Sequence, residues 1–202
     1  MKVLHICPLW FPIAADAPGG IETFLARLIG SLKELGCSST LLAVEGSVVE
    51  GDVVPGFPVG VREKMTHGSA TEYEYYQQHQ VRMALDLAPQ FDVIHSHVGV
   101  GAYILSGIPS IGERVLHTHH TPIYDDMIWH IERHPEMWLS MVSDFQARRL
   151  GYPPHCEVIP NGIDVSSFSF SAEPGEGLFF IGRIEHVKGP DLAVNVARTL
   201  GL

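Results

Sequence analysis

The sequence predicts an α/β fold: a Rossmann-like parallel sheet with helices on both faces, followed by an incomplete second Rossmann-like domain. Three observations carry this. Apolar runs of strand length alternate with longer stretches of helical period up to Ile159, the pattern of βαβ crossovers and a doubly covered parallel sheet. The runs end in turn residues or in histidine clusters, as expected where ligands bind beyond the carboxyl ends of the strands. A further strand–loop–helix unit then begins after a linker and occupies residues 177–202.

Taken in order, Val3–Cys7 reads as a first strand, followed by a Pro/Ala/Gly loop ending at Gly19-Gly20. Ile21 to Leu35 is an amphipathic helix with Ile21, Phe24, Leu25, Leu28, Ile29, Leu32 and Leu35 on one stripe, stopped by Gly36. Thr40–Val44 is a second strand, and Glu45–Thr66 reads as loops with one short strand. Ala70–Leu87 is a helix ended by Pro89, and Val93–His97 a strand before a short helix at Ala102–Ser106. Arg114–His119 and Trp138–Ser143 are strands, Asp144–Leu150 a helix, and Val158-Ile159 closes the first domain. The expected boundaries are a first domain over 1–165, a linker over 166–176 and the beginning of a second domain over 177–202. In that last part Leu178–Ile181 reads as a strand and Pro190–Ala197 as a helix with Pro in its first turn. So short a segment has too little area to fold alone. It is expected to dock on its own first domain, to pair with a missing C-terminal portion, to self-associate, or to be poorly ordered.

Composition limits the function. Hydrophobic residues at 46% and charged residues at 18% give a substantial core. A net charge of −10 argues against a nucleic-acid partner, which would need a basic surface. Cys7, Cys37 and Cys156 lack any CxxC spacing and read as reduced thiols of a cytoplasmic protein. The first residues are too short and Pro-broken an apolar stretch for a secretory signal, and no run is long enough to span a bilayer. A peripheral membrane role is left open, without a basic amphipathic helix behind it.

Candidate functional residues lie where strands end. Pro18-Gly19-Gly20-Ile21-Glu22 leads into a helix whose N–H groups could meet an anion. No GxGxxG follows the first strand, so a nicotinamide cofactor is not expected. Of twelve histidines, His95, His97, His117, His119 and His120 end two strands. Strand alternation puts His95 with His97, His117 with His119, and His120 opposite the latter pair. Sugar recognition, proton transfer and structural hydrogen bonding are all open to them, whereas metal ligation is not expected without a Cys or carboxylate pattern. Asp125, Asp126, Glu132, Glu136 and Asp144 have no paired partner and read as solvated. Asn161-Gly162-Ile163-Asp164 reads as a hinge turn. Arg183 and Lys188 flank a Gly-bounded loop before a helix start, a ready phosphate site.

Together these segments resemble the family-four glycosyltransferases, retaining enzymes of the two-Rossmann-domain GT-B class. The matching pieces are Gly19-Gly20-Ile21-Glu22, His95-Ser96-His97, Thr118-His119-His120, Val142-Ser143, Val158–Asp164 and Gly182–Gly189, in the family's order. The resemblance implies carbohydrate biosynthesis: transfer of a sugar from a nucleotide-diphosphate sugar, of uridine or guanosine type, to a hydroxyl of a sugar or small-molecule acceptor. It implies no separate cofactor and no bound metal. By the same resemblance His120 is the catalytic histidine near the transferred sugar. Gly19 and Gly20 lie against donor diphosphate and acceptor, His97 and His119 line the substrate cleft, and Arg183 and Lys188 hold the donor phosphates. The family's second domain continues with a two-glutamate motif not present here, so this chain is expected to show no transfer by itself. Two other readings compete: a non-catalytic sugar- or nucleotide-binding protein, and an epimerase of the same two-domain build.

Overall fold

The computed structural model describes residues 1–69, 71–173, 175 and 177–202. Ala70, at the start of one expected helix, and Pro174 and Glu176 of the expected linker lie outside the described residues. The chain divides into two compact units, Met1–Ile163 and Asp164–Leu202.

The first unit is built on seven parallel strands: β1 (Lys2–Ile6), β2 (Ser38–Val44), β3 (Asp52–Phe57), β4 (Val93–Ser96), β5 (Val115–His119), β6 (Trp138–Met141) and β7 (Cys156–Val158). Their order is β3-β2-β1-β4-β5-β6-β7, and every pairing is parallel. The chain winds outward from β1 to β3, then returns to place β4 on β1's other side. The β1/β4 junction is therefore the topological switch point, where α/β sheets open a crevice. There His5 pairs in register with His95.

The helices are α1 (Gly20–Glu34), α2 (Val61–Thr66), α3 (Glu74–Leu87), α4 (Asp125–Ile131) and α5 (Asp144–Arg149). Helix α1 buries Leu25 and Ile29 against Cys7, Ile13, Leu41 and Ala43. It ends where Gly36 takes φ 81°, with Cys37 N–H bonded to the Leu32 carbonyl, a left-handed cap that a side chain would strain. A second cluster packs Val81 and Ala84 of α3, with Ala88 just after it, on Leu4, Ile6 and Ile94.

Several boundaries differ from expectation for physical reasons. The 45–66 region contains both β3 and α2. Strand β3 tolerates Pro55 because it is an edge strand, and its register shifts between Ala43 and Val44, the mark of a bulge. The short helix expected at Ala102–Ser106 is part of a 3-10 segment over Gly99–Gly107. Helix α4 was not expected at all.

In the second unit α6 (Pro190–Leu200) forms, with Pro190 in its first turn. The expected strand at Leu178–Ile181 does not: no strand is assigned there. An apolar run becomes a strand only when a neighbour takes up its backbone hydrogen bonds, and the described residues of this unit offer none. No residue of α6 is fully buried, and Leu192, Val194, Val196 and Leu200 are exposed.

Candidate functional site

Strands β1, β4 and β5 end side by side, and the chain leaving each of them surrounds a cavity of about 540 Å³. The β1 side contributes Pro8, Trp10 and Ile21. The β4 side contributes His97, Val98, Gly99 and Tyr103, and the β5 side contributes His119, His120, Tyr124 and Trp129. Three of the residues singled out from sequence, His97, His119 and His120, thus line one space. Gly19 and Gly20 do not line it themselves; their neighbour Ile21 does.

Alternation divides the histidines into two layers. In the first, His95 Nε2 bonds to Thr118 Oγ1 at 2.7 Å, and His97 Nδ1 to His120 Nε2 at 3.1 Å. His5 Nε2 reaches Ser39 Oγ at 3.3 Å, and the Phe24 ring of α1 stands edge-on to His120. In the second layer His117 Nε2 bonds to Ser106 Oγ at 2.8 Å. His119 is held at both nitrogens, by Tyr103 Oη at 3.3 Å and Thr121 Oγ1 at 3.0 Å. Of the cavity's β5 histidines, then, His120 keeps a ring nitrogen, Nδ1, free of any described protein partner.

Burial keeps these rings uncharged. It lowers His5 and His120 to about 4 and His117 to about 3, holds His95 and His97 well below the usual histidine range, and also lowers His119. A neutral imidazole offers one donor and one acceptor and no fixed positive charge. With so low a proton affinity, His120 is better suited to hydrogen-bond a substrate hydroxyl than to carry its proton away.

Sequence reasoning missed several residues. His5 joins His95 and His97, with one ring nitrogen of each within 4.8 Å of the others. His5 Nδ1 and His97 Nε2 are buried without a partner. These three rings are the grouping among the described residues with metal-ligand character. Gln80, fully buried on α3, donates to the carbonyls of Cys7 and Leu42 at 2.7 and 2.8 Å, pinning the ends of β1 and β2. Gln146 on α5 donates to Thr121 O at 2.9 Å and His119 O at 3.3 Å, and accepts from Val142 N. It shapes the turn that presents His120. Glu22 is buried at the start of α1 with its carboxyl raised by burial. A Cβ at Gly19 would stand 1.8 Å from its Oε2, so glycine there makes room for the carboxyl group.

The acidic candidates serve structure. Asp125 pairs with Arg149 at 2.8 Å, Asp144 pairs with Arg148, and Glu136 meets His134 at 3.3 Å. Asp164 caps the 3-10 turn Val165–Ser167 by accepting from Ser166 N. Asp126 alone of the set lines the cavity.

Arg183 and Lys188 lie in the second unit. Arg183 Nη1 is 3.0 Å from Glu185 Oε1, with its side chain 71% exposed. Lys188 ends a 3-10 turn, and Gly189 at φ 68° then turns the chain into α6. A Cβ on Gly182 would lie 3.7 Å from that of Lys188, so the loop's two ends approach each other.

The family model "Glycosyltransferase Family 4" matches residues 18–167, most of the chain. No curated protein sequence matches. Among solved structures, MurG from Acinetobacter baumannii is similar, with 14% identity and a TM-score of 0.48. The match covers 81% of this chain and 46% of that one, so the chain spans less than half of that protein's length.

Proposed function

The chain belongs to glycosyltransferase family 4, and from that membership together with the cavity we propose that its first unit is the acceptor-binding half of a sugar transferase. The observation that carries the reading is His120: a neutral histidine in the cavity wall just past the end of β5, with Nδ1 bonded to no described protein group. There it can hydrogen-bond the acceptor or the sugar being transferred.

The donor in this reading is a nucleotide-diphosphate sugar. The start of α1 is open to it, since nothing stands within 4 Å of a Cβ built on Gly20, and helix N-terminal N–H groups suit a diphosphate. Arg183 and Lys188 would bind its phosphates. As the bond to the diphosphate breaks, charge grows on the leaving oxygen, and fixed cations and N–H groups stabilise that charge most in the transition state. The departing diphosphate then takes the acceptor proton on the same face, giving retention. No cofactor beyond the donor is required in this scheme. A cytoplasmic location goes with it, on the strength of three free cysteines.

The test is a transfer assay in the complete protein with uridine and guanosine diphosphate sugars, following nucleoside diphosphate release and the anomeric configuration of the product. His120→Ala should lower the rate about 10²-fold or more. Near-parental transfer by that variant would remove the cavity from the reaction. An inverted product would remove retention alone.

A further inference from the structure

The wall of the cavity is chemically one-sided. Trp10 stacks on Tyr73 with centroids 4.3 Å apart and planes 12° apart. Trp129 and Tyr124 also line the cavity and stand 58% and 61% exposed. No lysine or arginine is among the described lining residues, and the one carboxylate there is Asp126. Arg133 is engaged with Trp129: its guanidinium lies 4.2 Å from the ring centroid and its Nη1 donates to that residue's carbonyl. Burial holds the wall's His97, His119 and His120 below the usual histidine range, which disfavours their charged forms. Away from the start of α1, where the donor diphosphate is placed, an anion entering here would give up water for aromatic faces and a like charge, with no cationic side chain among the described lining residues to offset the loss. A ring with apolar C–H faces and hydroxyl edges would stack on the aromatics and bond His120 and Asp126.

We propose that the cavity takes an uncharged hydroxyl acceptor carried on a ring with an apolar face, and that it rejects acceptors bearing phosphate or carboxylate beside the reacting hydroxyl. The inference rests on the acceptor reading above and adds the acceptor's chemical class. The ring can be the sugar of a neutral glycoside or an aromatic aglycone.

Two of the three tryptophans, Trp10 and Trp129, line the cavity, so binding is read by intrinsic fluorescence without any donor. Four probes separate the terms: phenyl glucoside, methyl glucoside, phenyl phosphate and glucose 6-phosphate. Phenyl glucoside should bind about tenfold or more tightly than either phosphate. Comparing methyl glucoside with phenyl glucoside assigns the sugar and aryl shares. Trp129→Ala should weaken phenyl glucoside about 3- to 10-fold, and Asp126→Lys should shift preference toward the phosphates. Equal or tighter binding of the phosphates would overturn the inference, as would failure of both neutral probes to bind the folded protein. Failure of the reaction itself would appear in the transfer assay instead, so the two ideas fail separately.

Discussion

His120 bonds His97 through one ring nitrogen and lines the cavity, so removing it has two separable effects. His97 is 3% exposed and already has an unpartnered Nε2. In His120→Ala its Nδ1 loses its partner too, at a cost of about 1–3 kcal/mol that a denaturant titration would read. The loss of transfer should be larger than that loss of stability explains. Gly20→Val tests the helix start. Gly20 has open space around its missing Cβ and is not among the positive-φ residues, so the melting temperature should hardly move while transfer falls; normal transfer would free Gly20 of any substrate role. For Arg183 and Lys188 the two readings differ in size. A diphosphate contact that strengthens as the leaving group departs is worth about 2–4 kcal/mol, or two to three decades in rate. An exposed cation paired only with Glu185 is worth under about 1 kcal/mol. Arg183→Ala and Lys188→Ala, made in the complete protein, should each cut transfer sharply at constant melting temperature. If both keep more than about a third of parental activity at limiting donor, the clamp is wrong.

At the scale of elements, what the sequence made legible was whatever its own period encodes. Helix α1 was readable because its apolar stripe runs several turns to a glycine stop. Helix α4 was not: Met127, Ile128 and Ile131 form its packed face, but seven residues are too few for a period to stand out. Leu178–Ile181 failed the other way, since apolar content suggested a strand and pairing, which sequence alone does not show, decides one. His119 and His120 could be placed at a strand end, but the residue that shapes their turn could not. Gln146 is a helix residue whose partners, Thr121 O, His119 O and Val142 N, lie outside α5. Gln146→Ala strips three backbone groups of their partner at once and should cost about 1–3 kcal/mol or more. It should also weaken phenyl glucoside binding, although Gln146 does not line the cavity. Unchanged binding in a destabilised variant would show that the turn holds its shape without this anchor.

At the scale of the whole molecule, strand order turned scattered histidines into a core feature. His5 looked isolated in sequence; the switch point sets it beside His95, His120 joins that layer through His97, and β5 puts His117 in the other. That arrangement makes the fold acid-sensitive. His5 is surrounded by Ser39, His95 and His97, His117 by Ser106, Tyr103 and His119, and His120 by Phe24 and His97. None of these neighbours carries a negative charge. With burial lowering the three histidines to about 4, 3 and 4, the unfolded chain binds more protons than the native one between those values and about 6.5. Stability is therefore complete above about pH 6.5 and is lost as pH falls toward 4. By pH 5 each group removes about 2 kcal/mol, and three together remove an amount comparable to the ~5–15 kcal/mol that holds a typical domain. Glu22 works in the opposite direction, because burial raises its carboxyl, but it is one group against six buried histidines. Urea midpoints should thus be level from pH 8 to 7 and fall steeply from 6 to 5. His117→Gln should lose some stability at pH 8 and show a shallower fall, because one titrating group is gone. Midpoints that stay level from pH 8 to 5 would mean that water or a counter-charge reaches these rings, and the neutral cavity wall on which the acceptor inference depends would go with them.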